Sequence, residues 1–194
     1  MKLIELFSTI NPHDNKIYQP FIIAEIGVNH EGSMEVAKRL INEAKKGGAD
    51  AVKFQSYKAE KLASKDSPAY WDNEKEPTTS QYKLFKKYDS FWIDEMKELR
   101  AYCHMLDIEF ISTPFDLESA DFLDSMMDVY KISSSDITNK PFIEYICKFN
   151  KPIILSTGAS SLDEIKEAVG WIERFGNSLA LLHCVLNYPT SDEN

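Results

Sequence analysis

Short apolar segments recur along this chain of 194 residues, and an amphipathic segment with a helical period lies between most of them. Such alternation predicts a parallel α/β sheet, because parallel strands need long crossovers that usually contain a helix. Most successive apolar segments start 21 to 29 residues apart, which suits compact right-handed βαβ units. The six predicted strands begin near Phe21, Asp50, Ile108, Val129, Pro152 and Leu179.

Two architectures fit this alternation, an open doubly wound sheet and a closed barrel. No GxGxxG or P-loop motif follows the first strand, which weakens the dinucleotide- and nucleotide-binding alternatives. Polar residues instead stand near the ends of several strands, as in a (β/α)₈ TIM barrel, whose site is assembled at the C-terminal rim. A full barrel has eight strands and roughly 250 residues. We therefore expect residues 1–194 to form a single domain, a TIM barrel truncated after about six strands.

The longest irregular insertion, from Ser56 to Ser90, follows the second strand. In a barrel it would lie on the catalytic side, where it is either a substrate-covering lid or a solvated insertion with its own short helix. Helix start signals are clearer. Ser33 is a candidate N-cap, and Ser161 with Glu164 has the sequence of a capping box.

The formal net charge is −9 and there is no basic stripe, which argues against a nucleic-acid partner. This charge gives no long-range attraction for an anion, so any anion site must be a local arrangement. No run of about 18 apolar residues predicts a membrane span, and the N-terminus lacks the apolar core of a secretory signal. The three cysteines have no metal-ligand spacing and are odd in number, which favours a reducing, cytoplasmic location.

An acidic residue interrupts the first apolar strand. Glu25 lies within the segment from Phe21 to Ile26, where a parallel strand covered on both faces should be uniformly apolar. Burial of an unpaired carboxylate is costly, so we expect Glu25 to have a charged partner or a functional role.

Lysine, glutamine and hydroxyl side chains occupy the ends of four later strands. Because side chains alternate along a strand, Lys53 and Gln55 should share one face and point into the barrel mouth. Lysines combined with hydroxyls and loop N–H groups form phosphate or carboxylate sites. Each hydroxyl alone is more often a cap or turn residue, and each lysine alone can be a structural ion-pair partner. The polar residues at the other strand ends are Thr113, Lys131, Ser133, Ser134, Ser135, Ser156 and Thr157.

The histidines and cysteines near strand ends do not form a complete metal motif. His183 and Cys184 are adjacent, so a regular strand would send them to opposite faces and they would not bind one metal together. His183 is either directed into the barrel or a satisfied core histidine. His30, in the loop after the first strand, is a candidate substrate contact or a structural residue.

Six collinear blocks of the sequence resemble the sialic acid synthase family, which makes N-acetylneuraminate, legionaminate and pseudaminate and includes a spore-coat polysaccharide relative. The resemblance covers nearly the whole chain at barrel spacing and corresponds to the N-terminal barrel portion of that family. The blocks are EIGVNHEGS (Glu25 to Ser33), VKFQSY (Val52 to Tyr57), FISTPF (Phe110 to Phe115), YKISSSD (Tyr130 to Asp136), KPIILSTGAS (Lys151 to Ser160) and LLHCVLNYPT (Leu181 to Thr190).

The resemblance implies a transferase of polysaccharide or glycan biosynthesis that condenses phosphoenolpyruvate with an N-acetylated mannosamine-type sugar and releases phosphate. In the complete enzyme a divalent metal, Mn²⁺ or Mg²⁺, would polarise the open-chain aldehyde. C3 of phosphoenolpyruvate would attack that aldehyde, and water would capture the oxocarbenium-like C2 before phosphate leaves by C–O cleavage.

The resemblance also implies roles for individual residues. Glu25, Lys53 and Lys131 would be catalytic, the lysines by offsetting the charge of phosphoenolpyruvate and Glu25 near the sugar or the attacking water. Leu186 stands where the family has an asparagine or serine phosphate contact. The substrate-binding residues would be Gln55, Thr113, Ser134, Ser156, Asn187 and Tyr188.

Other parts of the family's machinery are expected beyond residue 194. These are the metal ligands, a pair of histidines on later strands, and a C-terminal antifreeze-like domain that reaches a partner subunit's site. The resemblance therefore implies a homodimer for the full-length form. We expect the isolated chain to hold half of a site and to be poorly active.

Two other functions remain open from the sequence. A non-catalytic or half-site barrel fragment that binds an anionic ligand fits the missing strands and Leu186. A Schiff-base aldolase fits a lysine near a barrel mouth, with Lys131 or Lys53 as the nucleophile.

Overall fold

The computed structural model describes residues 2–9, 17–186 and 190. The chain divides into two compact units, one formed by Ile22–Met126 and the other by Met1–Phe21 together with Met127–Asn194. Each unit contains one three-stranded parallel sheet. The prediction of an α/β fold with parallel strands is therefore confirmed.

Helices and strands alternate through the described residues. The strands are β1 (Ile23–Gly27), β2 (Ala51–Ser56), β3 (Glu109–Pro114), β4 (Tyr130–Ile132), β5 (Ile153–Ser156) and β6 (Leu179–Leu182). The helices are α1 (Leu3–Thr9), α2 (Met34–Lys46), α3 (Ala59–Leu62), α4 (Gln81–Tyr88), α5 (Ile93–Met105), α6 (Leu117–Asp124), α7 (Lys140–Cys147) and α8 (Leu162–Glu173). A 3-10 turn, Ser134–Asp136, follows β4. Within residues 2–9, 17–186 and 190, none of the helices has the length and apolarity needed to cross a bilayer.

Each predicted strand is present and begins within two residues of its predicted start. The helix start signals also act as the sequence predicts. The Ser33 hydroxyl accepts the Val36 N–H at 3.3 Å and caps α2. At α8, the Ser161 hydroxyl accepts the Glu164 N–H at 3.3 Å and the Glu164 carboxylate accepts the Ser161 N–H at 2.7 Å. This reciprocal pair satisfies two amide groups that the first turn of the helix leaves without partners.

The strands of the β4-β5-β6 sheet differ in burial. All residues of β4 and of the central strand β5 are buried, which is the burial expected of a parallel strand covered on both faces. In β6, at one edge of this sheet, the side chains of Leu181 and Leu182 remain 48% and 40% exposed. The apolar core of this unit therefore lies on β4 and β5 and on the helices that follow them.

The Ser56–Ser90 insertion contains the short helices α3 and α4, so it has helical structure of its own. Two buried aspartates fix its beginning. Asp89 accepts the Ala59 N–H at 3.1 Å, and Asp116 accepts the Lys58 N–H at 3.3 Å. The Asp116 contact joins the base of the insertion to the rest of its unit, and the Asp89 contact closes the insertion on itself. A role as a lid stays a prediction.

Replacing Leu155 by alanine should destabilise the protein by about 2–5 kcal/mol, because this fully buried β5 side chain would leave a cavity. Chemical denaturation measures the loss. Leu162→Ala is the matched control, since that leucine is 74% exposed and its truncation should change the free energy of unfolding by at most about 0.5 kcal/mol. Equal effects of the two substitutions would contradict the burial pattern of β5.

Candidate active site

Four polar side chains come together on the central and C-terminal residues of β1, β2 and β3. Glu25, Lys53, Gln55 and Thr113 are called the β1–β3 cluster below. In the sheet register Glu25 lies opposite Lys53, and Gln55 lies opposite Thr113. The Lys53 ammonium forms an ion pair with the Glu25 carboxylate and donates to the Thr113 hydroxyl at 3.3 Å. A single lysine on the central strand therefore links side chains from both neighbouring strands.

Glu25 has the charged partner that the sequence predicts, but its side chain is not buried. That side chain is 41% exposed, whereas the Lys53 side chain is 13% exposed. The expectation of a strand covered on both faces is wrong at this position, because β1 is an edge of the three-stranded sheet that the described residues form. A half-exposed carboxylate beside a largely buried ammonium is accessible to a ligand.

Gly27 shapes the β1–β3 cluster from the end of β1. The strand pairing shifts register between Glu25 and Gly27, which is the irregularity of a β-bulge, and Gly27 has a φ of 55°. A Cβ at this position would lie 3.3 Å from Oε1 of Glu25 and 3.6 Å from Nε2 of Gln55. Glycine therefore permits both the left-handed backbone and the close approach of these two side chains.

A second group of polar side chains lies at the C-terminal ends of β4, β5 and β6. Lys131, Ser134, Ser156, Gly158 and Cys184 are called the β4–β6 cluster. The Lys131 ammonium belongs to a residue only 7% exposed and donates to the Ser156 hydroxyl at 2.6 Å. The Ser134 hydroxyl accepts the Gly158 N–H at 3.0 Å and lies 3.4 Å from the Cys184 sulfur.

The two clusters share one pattern, a lysine that donates to a hydroxyl on the next strand of its sheet. In one unit the pair is Lys53 with Thr113, and in the other it is Lys131 with Ser156. Gln55, Thr113 and Ser156 lie at or next to the C-terminal ends of their strands, the edge at which parallel α/β folds bind their ligands. An ammonium beside a hydroxyl donor is suited to bind a phosphate or carboxylate oxygen.

His30 packs as a core residue. Its ring is 1% exposed and stacks on Phe91 with centroids 4.0 Å apart, and its Nδ1 accepts the Gly32 N–H at 3.1 Å. Burial lowers the pKa of His30 from 6.5 to about 4. These contacts support the structural alternative for this histidine.

No group of three or more histidine, cysteine, aspartate or glutamate side chains in residues 2–9, 17–186 and 190 is arranged to hold a metal ion. We assign no residue of this chain to a divalent cation, and metal ligands beyond residue 194 stay a prediction. His183 is exposed, so its interpretation as a core histidine is wrong. Leu186 is 56% exposed. Asn187 and Tyr188 lie outside the described residues.

The structure adds Cys184 to the predicted site residues. In a regular strand, alternation of side chains would place Cys184 and His183 on opposite faces. Because β6 ends at Leu182, both residues lie beyond the strand and alternation does not decide where Cys184 lies. The position of a cysteine two residues after the end of β6 was the available signal. Its contact with Ser134 follows only from the fold.

Relatives of this chain act in nonulosonic acid synthesis. It is 43% identical to the N,N'-diacetyllegionaminic acid synthase of Campylobacter jejuni over 87% of this chain and 52% of that protein. The synthase of the same name from Legionella pneumophila is 41% identical over 88% of this chain and 50% of that protein. A crystal structure of the N-acetylneuraminic acid synthetase of Leptospira borgpetersenii in complex with citrate superposes with a TM-score of 0.78. The two sequences are 32% identical, and the superposed region covers 91% of this chain and 57% of the Leptospira chain.

The parallel strands, the intervening helices and the lysine–hydroxyl pairs make this chain an α/β protein with groups suited to bind an oxyanion. Residues 40–194 match the NeuB family, and the chain belongs to that family. The chain spans about half the length of the curated relatives it matches.

Gly27→Ala should lower the free energy of unfolding by about 1–3 kcal/mol, because alanine is strained at a φ of 55° and its Cβ would crowd Glu25 and Gln55. Gly170→Ala is the matched control. Gly170 lies within α8 with no heavy atom within 4 Å of an added Cβ, so alanine should stabilise the helix by about 0.5–1 kcal/mol. Urea denaturation compares the two variants, and a stabilising Gly27→Ala would show that the bulge is not as described.

The low pKa of His30 predicts that acid destabilises the protein. The unfolded chain binds a proton near pH 6.5 and the folded chain near pH 4, so stability present above pH 6.5 is lost as the pH falls toward 4. Between pH 7.5 and 4.5 the His30 contribution is about 2 kcal/mol.

Urea denaturation across this pH range, compared between the wild type and His30→Asn, isolates the contribution of this residue. The variant should show a correspondingly smaller loss of stability on acidification. Parallel pH profiles for the two proteins would mean that His30 has the same pKa in the folded protein as in the unfolded chain, and would contradict the lowered value.

Proposed function

We propose that this chain carries phosphoenolpyruvate-binding residues of a synthase that condenses phosphoenolpyruvate with an N-acetylated mannosamine-type sugar. The products are a nonulosonic acid and inorganic phosphate. The observation that carries the proposal is the lysine–hydroxyl pair, Lys53 with Thr113 and Lys131 with Ser156, which recurs at strand ends in both units. Membership of the NeuB family, with relatives named as legionaminic acid synthases, supports the same reaction.

Phosphoenolpyruvate suits these groups because it carries a phosphate and a carboxylate, and each is an oxyanion that ammonium and hydroxyl donors bind. The net charge of −9 would repel such a ligand at long range, so binding must come from local donors. Lys131 is largely buried, where a hydrogen bond to an anion is stronger than in water. Gln55, opposite Thr113 in the register, adds an amide to the β1–β3 cluster.

The proposed reaction forms one C–C bond, replaces the C2–O bond to phosphate by a bond from C2 to the oxygen of water, and converts the aldehyde oxygen to a hydroxyl that takes up a proton. C3 of phosphoenolpyruvate attacks the sugar aldehyde, water adds to C2, and the C2–O bond to phosphate breaks. The lysines that bind phosphoenolpyruvate offset its negative charge and hold its C3 atom in position, so that they catalyse the reaction through proximity and electrostatics. The Glu25 carboxylate, half-exposed and held by Lys53, is suited to accept the proton of the attacking water.

The remaining features of the proposal concern the whole protein. We propose that the six strands belong to a (β/α)₈ barrel within a single domain, supported by the TM-score of 0.78 with the Leptospira synthetase. The complete enzyme would be a homodimer with Mn²⁺ or Mg²⁺, and no step of the reaction above is assigned to the metal.

The two alternative functions differ in their support. A Schiff-base aldolase needs a neutral lysine amine, but Lys53 is ion-paired with Glu25, and Lys131 donates both to Ser156 and to the Ile132 carbonyl at 2.8 Å. These contacts occupy both lysine nitrogens and disfavour the aldolase. A non-catalytic anion-binding protein would use the same lysine–hydroxyl pairs and would differ from the synthase in the absence of turnover.

Lys53→Met should lower phosphoenolpyruvate affinity and sugar-dependent phosphate release by about 100-fold, because it removes a cation that faces the bound oxyanion. Calorimetry measures binding to this chain. Phosphate release is measured with Mn²⁺ and a panel of N-acetylmannosamine derivatives that includes a sugar with two acetamido groups. The proteins tested are this chain and any longer product of the reading frame. Lys46→Met is the control, since Lys46 is 71% exposed and pairs with Glu43 on the same helix.

The outcomes separate the three functions. Phosphate release that requires a sugar, disappears in Lys53→Met and survives in Lys46→Met supports the synthase. Phosphoenolpyruvate binding without turnover in any form of the protein supports the non-catalytic alternative, and borohydride trapping of pyruvate on a lysine supports the aldolase. Absence of phosphoenolpyruvate binding to folded protein overturns the proposed function.

A further inference from the structure

The two lysines that donate to hydroxyls differ in the charge of their other partners. The ammonium of Lys53 is ion-paired with the Glu25 carboxylate. The ammonium of Lys131 donates to the Ser156 hydroxyl at 2.6 Å and to the Ile132 carbonyl at 2.8 Å, and both of these oxygens are neutral. In the β1–β3 cluster, a carboxylate of the protein itself therefore stands beside the lysine that an anionic ligand would approach.

Charge, and not the number of hydrogen-bond donors, limits what Lys53 can offer to a ligand. An ammonium group has three N–H bonds, and the contacts of Lys53 with Glu25 and Thr113 leave a third. An ammonium and a carboxylate together carry no net charge, so an approaching anion meets the attraction of Lys53 and the repulsion of Glu25 at the same time. Water screens these forces weakly, because the Lys53 side chain is only 13% exposed. The attraction of Lys53 for an anion is therefore largely cancelled while Glu25 stays beside it.

The Glu25 side chain has room to leave this ion pair. It is 41% exposed, so water can solvate its carboxylate away from Lys53. A Cβ on Gly27 would lie 3.3 Å from Oε1 of Glu25 and 3.6 Å from Nε2 of Gln55. Because glycine lacks that Cβ, the carboxylate can turn toward the Gln55 amide, whose N–H groups are hydrogen-bond donors. The lysine has less freedom, since it is largely buried on the central strand of its sheet.

We propose that Glu25 competes with the anionic substrate for Lys53: an oxyanion that binds Lys53 displaces the Glu25 carboxylate, and the displaced carboxylate becomes an acceptor for the second substrate. The proposal rests on the proposed function, because phosphoenolpyruvate is taken as the anion and an N-acetylated sugar as the second substrate. The hydroxyl and amide N–H groups of such a sugar are hydrogen-bond donors, which suit a carboxylate. Linkage makes the effect reciprocal, so each substrate tightens the binding of the other by the same factor.

The exchange of partners keeps the charge of Lys53 compensated throughout. An ammonium that is largely buried is costly to leave without a negative partner. Glu25 is that partner in the ligand-free protein, and the oxyanion takes this place in the complex. The carboxylate therefore becomes available to the sugar once the anion is bound, which couples the occupancy of the two substrate positions.

The first test measures the affinity for phosphoenolpyruvate by phosphorus NMR, which reads affinities down to the millimolar range. Glu25→Gln keeps the size of the side chain and removes its charge, so this variant should bind phosphoenolpyruvate about tenfold more tightly than the wild type. Its sugar-dependent phosphate release should fall, because the carboxylate that accepts a proton from water is lost. Unchanged or weaker binding by folded Glu25→Gln overturns the competition, and such a result is what a purely structural role of Glu25 predicts.

Glu43→Gln is the matched control for the change in net charge. Glu43 is ion-paired with Lys46 on α2 at 2.9 Å, and its side chain is 61% exposed. Its substitution changes the net charge by the same amount as Glu25→Gln and should leave the affinity within about twofold of the wild type, because exposed pairs interact weakly. Equal gains in the two variants would show that overall charge sets the affinity, and would overturn the competition.

A double-mutant cycle with Lys53→Met distinguishes competition from simple repulsion. If Glu25 competes for Lys53, adding Glu25→Gln to the Lys53→Met variant should change the affinity by less than about twofold, since there is no ion pair to break. If Glu25 only repels the anion through space, the tenfold gain should persist in the Lys53→Met background. The second result overturns the competition and leaves the proposed function standing.

A crystal structure of the wild-type protein with phosphoenolpyruvate tests the displacement directly. An oxyanion oxygen should lie beside the Lys53 nitrogen, and the Glu25 carboxylate should lie beyond about 4 Å from it, the limit for an ion pair. An intact ion pair between Glu25 and Lys53 in the occupied site overturns the proposal.

Calorimetry tests the coupling between the two substrates. The ligands are the sugar alcohols made from the same panel of sugars, which lack the aldehyde and cannot react. With saturating phosphoenolpyruvate, the wild type should bind the preferred sugar alcohol about tenfold more tightly than without it, and Glu25→Gln should lose this gain. Sugar alcohols that bind equally, or not at all, under both conditions overturn the coupling. Absence of phosphoenolpyruvate binding to both the wild type and Glu25→Gln overturns the proposed function, and the competition with it.

Discussion

Parallel strand pairing is the constraint on which the other features of this structure depend. Each parallel connection needs a long crossover, and the crossovers cover the sheet faces with helices, so the strand interiors must be apolar. In β5 every residue is buried. Polar side chains within such strands, such as those of Lys53 and Lys131, therefore need neighbouring oxygen atoms as partners.

The sequence predicts features that depend on local pattern. Strand positions follow from short apolar runs, and the α8 start follows from Ser161 and Glu164, because both signals act over a few residues. The shared face of Lys53 and Gln55 follows from strand alternation alone. Burial of an unpaired carboxylate costs free energy, so the sequence predicts a partner for Glu25, and Lys53 is that partner.

Features that depend on contacts between distant segments could not be predicted from the pattern. The 41% exposure of the Glu25 side chain depends on which strand lies at a sheet edge, and hydropathy does not specify strand order. The stacking of His30 on Phe91 joins residues of different βα repeats. The approach of Ser134 to Cys184 depends on the course of the chain segments that follow β4 and β6. Beyond these strands, side chains no longer alternate between two faces, so their direction does not follow from the sequence.

The anchoring of the Ser56–Ser90 insertion has a consequence for how proteins of this architecture diverge. Asp89 and Asp116 hold the beginning of the insertion through backbone N–H groups, and backbone groups are present whatever side chains occupy those positions. The segment between Ala59 and Asp89 can therefore change in length and sequence while the sheet and its strand-end lysines keep their geometry. Such a closed segment behaves as an exchangeable module, in which new surface chemistry can arise without the loss of stability that accompanies changes in a core.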